Sequence, residues 1–173
     1  MRGTAVLACN ARWRNEPEAV GENAKMNWIN IYGLAFMLVI MIPNIVFAMK
    51  IKDGFQNLWA NRLVETFEQM GRLGCFALMV LIIPGCGFGF SSDQRFTLYL
   101  IIDSILTVAY SLIWMICFKK NSVFRALALS IIPSLLFLVS GVLSQYWPLV
   151  VAAIIFAPCH ILISYKNALL KVR

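Results

Sequence analysis

Five apolar stretches, residues 28–49, 73–90, 96–118, 124–143 and 147–165, are separated by short polar connections. Each approaches the length of about 20 residues that a helix needs to cross the hydrocarbon layer of a bilayer. The pattern predicts an all-α polytopic membrane helical bundle, with five transmembrane helices in a single membrane domain over residues 26–173. A different rhythm precedes the second stretch. Over residues 56–71, Trp59, Leu63, Phe67 and Met70 recur at helical spacing, while Asn61, Arg62, Glu65, Glu68, Gln69 and Arg72 fall mostly on other faces. That periodicity predicts an amphipathic helix lying at the membrane surface, or running straight into the second span. Glu68 and Arg72 stand four residues apart in the favourable order. Such a helix anchors its loop, or docks a soluble partner through Glu65 and Glu68.

Polar residues inside the spans are few. Asp103 is the single acid in a predicted span, and Tyr99, Thr107, Tyr110, Ser111 and Trp114 continue along its side of the helix. Such a stripe is expected to face the bundle interior, where Asp103 either packs through hydrogen bonds or serves a cation or proton. Three spans also carry a proline at nearly one level: Pro43 beside Asn44, Pro133 near Ser130, and Pro158 beside Cys159 and His160. A proline kinks a helix and frees the carbonyl four residues earlier, and in lipid that carbonyl needs a partner. One expectation is that Asn44, Ser130, Ser134 and His160 staple the kinked helices together. The sharper one is a cytoplasm-facing cavity lined by Asn44, Ser130, Cys159 and His160.

Composition supports a lipid environment. The chain is 61% hydrophobic and 13% charged, with mean hydropathy +0.78, against roughly half and a quarter in soluble domains. Its net charge of +7 falls between the apolar runs and forms no stripe for nucleic acid. Lys50, Lys52, Arg62 and Arg72 lie in the first connection, and Lys119, Lys120 and Arg125 in the third. The tail holds Lys166, Lys171 and Arg173, whereas the second connection holds only Arg95 and the fourth has no basic residue. Basic residues stay on the cytoplasmic side, which predicts a cell-membrane protein with its N-terminus out and C-terminus in. Residues 1–25 mix charges without an apolar core, and read as a disordered tail or a misassigned start with Met26 as initiator.

Chemistry is thin by comparison. Cys159 and His160 are neighbours, so their side chains diverge by about 100° on a helix and do not share one metal comfortably. No second histidine, CxxC or HExxH occurs, and the glycines of "PGCGFGF" end a span rather than link a strand to a helix. Free thiols, no metal and no cofactor are expected.

The strings "MIPNIVFA", "FEQMGRLGCF", "LALSIIPSLLFL" and "IIFAPCHILISYKNA" resemble those of a group of small, uncharacterised five-span integral membrane proteins of clostridia-like Gram-positive bacteria. The resemblance covers residues 28–168 and implies a fold and a cytoplasmic-membrane address, not a mechanism. The expected role is therefore a non-enzymatic accessory or interaction protein in the bilayer, working with a membrane partner or as a homo-oligomer. The alternatives are a small transporter or channel using Asn44, Ser130, His160 and Asp103, and then a membrane enzyme acting on lipid.

Overall fold

The computed structural model of the chain describes residues 28–51, 57–118 and 122–172. The expected tail 1–25 and start at Met26 lie outside the described residues. Five helices follow in order: α1 (Ile31–Lys50), α2 (Arg62–Val80), α3 (Asp93–Cys117), α4 (Val123–Leu143) and α5 (Trp147–Val172). Four of them, all but α2, are long and apolar enough to cross a membrane. The result is an all-helical apolar bundle with the build of an integral membrane protein.

Local chemistry sets the starts. Asn30, Asn61, Ser92 and Ser122 are N-caps whose side chains accept the backbone N–H three residues on, that of Gly33, Val64, Arg95 and Arg125 respectively. Pro43, Pro133 and Pro158 lie inside α1, α4 and α5, which continue through them.

At α2 the structure takes the second of the two expected arrangements: the amphipathic segment runs straight into the second apolar stretch. They share one helix of 19 residues, about 28 Å long, but it stops at Val80, ten residues before the expected span does. Pro84 explains the stop, because its ring would clash with the Val80 carbonyl if the helix went on. That carbonyl accepts the Asn30 N–H instead, at 2.8 Å. Residues 81–92 are non-helical, with Gly85 and Gly87 at φ +83° and +80° in the left-handed region that glycine tolerates.

The helix is also turned opposite to the expectation. Leu63 and Phe67 point outward, Phe67 being 52% exposed, while Glu68, Gly71, Cys75 and Met79 face the bundle. Gly71 permits this close crossing with α5, since a Cβ there would stand 2.8 Å from the Phe156 backbone. In lipid, an apolar face belongs on the outside and a charged one inside.

Around α2 the bundle closes in sequence. α5 packs between α2 and α4, α4 packs on α3, and α1 lies across α3 and α2. The stripe on α3 is buried at Tyr99, Asp103, Thr107, Tyr110 and Trp114. Large apolar side chains such as Leu38, Ile105, Ile116 and Ile154 remain exposed on the outer surface.

The two ends of the bundle differ. At the Asn30 end, Ile29 and Leu81 form an antiparallel bridge, and the Ile82 N–H donates to the Trp28 carbonyl at 2.9 Å. The buried Tyr146 hydroxyl accepts from the Ile83 N–H at 3.0 Å and donates to the Leu81 carbonyl at 3.2 Å. Asn30 Nδ2 donates to the Tyr99 hydroxyl at 3.2 Å. Phe90 lies between Phe96 and Tyr99, with ring centroids 5.0 and 5.2 Å away. We call this the capped end. The opposite end, where Leu58 and Trp59 donate their N–H groups to Asn167 Oδ1 at 2.7 and 3.0 Å, is the open end.

Candidate functional site

Toward the open end the helices part around a cavity of about 1050 Å³. That is at the upper limit of ordinary small-molecule sites, about 300–1000 Å³. Every helix contributes to its wall. Phe76, Phe137, Phe156, Leu129 and Ile40 supply apolar surface, and Asn44, Tyr110, Glu68, Arg72 and His160 supply polar groups.

The polar cluster is built from the turned face of α2. Glu68 is 2% exposed, although it carries a carboxylate on a helix whose Leu63 and Phe67 face outward. Its Oε1 accepts from Arg72 Nε at 2.9 Å and from Arg72 Nη2, one turn along the same helix. His160 Nδ1, on α5, meets the same oxygen at 2.9 Å. The imidazole is held by stacking on Phe156, with centroids 4.6 Å apart and planes 20° from parallel. A buried carboxylate is costly without partners, and this one has donors from two helices.

A second polar pair faces the same space. The Tyr110 hydroxyl on α3 donates to Asn44 Oδ1 on α1 at 2.9 Å, while Asn44 Nδ2 donates to the Ile40 carbonyl at 3.0 Å. At the base of α4, Arg125 Nη1 donates to the carbonyls of Cys117 and Phe118 at 3.3 and 3.2 Å. Its guanidinium carbon also lies 5.3 Å from the centre of the Phe47 ring.

The sequence-derived residues divide here. Asn44 and His160 are on the cavity wall, but Ser130 and Cys159 are not among its lining residues. Ser130 is buried in α4, donating to the Leu127 carbonyl at 3.0 Å and accepting from Ser134 Oγ at 2.7 Å through its own carbonyl. Of the four expected staples, Ser130 and Ser134 therefore bond within α4, whereas Asn44 and His160 cross between helices, to Tyr110 and Glu68. Glu68 faces inward and offers no docking surface, correcting that expectation. Glu65 lies on the cavity wall and accepts from the Asn61 N–H at 3.2 Å.

Asp103 belongs to a different place. It is fully buried between α3 and α4, where Ser140 Oγ donates to its Oδ2. Among the described residues its Oδ1 and Thr107 Oγ1 have no hydrogen-bond partner. Asp103 is not among the residues lining the cavity. The four described cysteines, Cys75, Cys86, Cys117 and Cys159, are free thiols. No group of three or more His, Cys, Asp or Glu suited to a metal occurs among the described residues.

Arg72, Tyr110, Trp114 and Arg125 on the wall were not singled out as site residues from sequence. The available signal was the run Glu68, Gly71, Cys75, Met79, a narrow inward face that mixes one charge with small and soft residues. Comparison with protein-family models, curated proteins and solved structures finds no match for the chain, so the site is read from its own geometry.

Proposed function

We propose that this protein is a five-span membrane protein that binds a small solute in its cavity from the cytoplasm, as a small transporter does. One observation carries this reading: the charged face of α2 is turned inward onto a cavity of about 1050 Å³, with apolar side chains outward. A helix that merely rests on the membrane surface has no reason to bury Glu68. As the fifth span, α2 runs antiparallel to α5: the residues leading into it place Asn57 beside Asn167 at the open end, and it ends with Val80 beside Asn30 at the capped end.

The side assignment rests on basic residues. Lys50, Arg62, Arg125 and Lys171 lie at the ends of helices that meet at the open end, whereas Arg95 is at the start of α3 near the cap. The positive-inside rule places the open end in the cytoplasm. Membrane-impermeant maleimide tests both parts on Ser164→Cys, a cavity-wall position, in a background with Cys9, Cys86, Cys117 and Cys159 replaced by serine. Labelling is expected in inside-out vesicles and not in right-side-out ones. Labelling from the outside alone overturns the orientation, and no labelling from either side overturns the open cavity.

A further inference from the structure

We propose that the cavity takes an amphiphilic organic anion, an acidic head on an apolar body, with Arg72 as the head contact and Glu68 as the group that positions it. The inference rests on the solute-binding reading above and adds the chemical class.

The wall carries the charge argument. Its basic side chains are Arg62, Arg72, Arg125 and Lys171, and its acids are Glu65 and Glu68. Both acids are engaged: Glu65 Oε1 accepts from the Asn61 N–H, and Glu68 Oε1 alone receives Arg72 and His160. A cationic head would have to compete with that arrangement for Glu68 and approach an excess of positive charge. An anionic head meets no such obstacle. Arg72 has five N–H donors, and its bonds to Glu68 use only its Nε and Nη2 atoms, leaving the Nη1 edge. Its side chain is 38% exposed and lies on the cavity wall. A carboxylate or a phosphate matches that planar edge.

The positioning is specific. Arginine is long and costly to immobilise, and the bond from its Nε to Glu68 fixes the guanidinium before a ligand arrives. The same oxygen ties α2 to α5 through His160. Apolar surface at Phe76, Phe137 and Phe156 then receives the body of the ligand.

The test uses the full chain in nanodiscs of zwitterionic lipid, with dansylaminoundecanoate as the probe. Energy transfer from Trp114, which lines the cavity, reports binding, and Trp114→Phe supplies the blank. Dodecanoate, dodecyl phosphate and dodecyltrimethylammonium, equal in chain length, compete for the probe. The anions are expected to displace it at concentrations at least about tenfold lower than the cation does, as one charge-assisted hydrogen bond implies. Whichever of carboxylate and phosphate displaces it more strongly names the head. The Glu68→Gln/Arg72→Gln double variant removes the head contact while Arg62, Arg125 and Lys171 still outnumber Glu65, and it should sharply reduce this preference while Cys75, buried in the fold, stays unreactive to maleimide. Equal or better displacement by the cation overturns the anion inference and leaves the cavity reading standing. Absence of Trp114-dependent transfer overturns both.

Discussion

The capped end and the open end are made of similar helices, yet they bury polar groups in opposite ways. At the cap, hydrogen bonds go mainly to backbone: the Tyr146 hydroxyl serves Ile83 and Leu81, and the Asn30 N–H serves the Val80 carbonyl, beside the Asn30–Tyr99 side-chain pair. Such bonds satisfy groups that lipid cannot. At the open end, side chains bond one another across space, as in Glu68 with His160 and Asn44 with Tyr110, and these pairs border a large cavity. Under the proposed function, interior polarity serves closure at one end and recognition at the other. Substitutions at the cap should lower stability, and substitutions in the open-end cluster should alter binding instead.

The largest effect is expected from Gly33→Ala. A Cβ at this position would stand 2.1 Å from the Met79 carbonyl oxygen, so α1 and α2 must separate where the cap begins. Overpacking of this kind costs about 1–3 kcal/mol, and a backbone obstacle places it at the top of that range. Thermal unfolding can be followed by maleimide reaction of the buried Cys75, with Cys9, Cys86, Cys117 and Cys159 replaced by serine. A midpoint equal to that of the parent would show that the ends are not differently built.

Tyr146→Phe should come next. It keeps the ring against Phe88, whose centroid is 5.6 Å away, and removes one donor and one acceptor for the backbone at Ile83 and Leu81. Leaving such groups unpaired costs about 1–3 kcal/mol. The same unfolding assay should show a lower midpoint, with probe displacement at the cavity unchanged. A change in probe affinity larger than the change in stability would mean that the cap and the cavity are coupled.

Much of this contrast was legible in the chain, and one part was inverted for a physical reason. Apolar length located α1, α3, α4 and α5 closely, because in a bilayer it is the dominant constraint. The stripe from Tyr99 to Trp114 was readable for the same reason. Periodicity on α2 gave two faces correctly, but it does not say which solvent each face meets. Taken as a surface helix, Phe67 goes down and Glu68 goes up; inside a bundle they exchange places. The stop at Val80 needed Pro84 to outweigh a hydrophobic run that continues past it. The proline level singled out Asn44 and His160, which both line the cavity. It could not distinguish them from Ser130, whose hydroxyl turns back onto its own helix.

The smallest effect on stability, and the sharpest on function, is expected from Glu68→Gln/Arg72→Gln. Removing Arg72 alone would leave a nearly buried carboxylate with His160 as its remaining partner, and broken buried pairs cost about 3–5 kcal/mol. Arg72 is more than a third exposed, so solvent screens the pair and the cost falls below that range. Replacing both partners avoids the stranded charge. Two amides of similar shape can still bond each other, and the amide that replaces the Glu68 carboxylate can accept from or donate to His160. The unfolding midpoint should therefore move by less than about 1 kcal/mol equivalent, because exchanging a buried ion pair for neutral groups is often near neutral. The anion preference should nevertheless fall sharply. A double variant that unfolds as readily as Gly33→Ala would make the cluster a structural clamp like those of the cap, and the distinction between the two ends would dissolve.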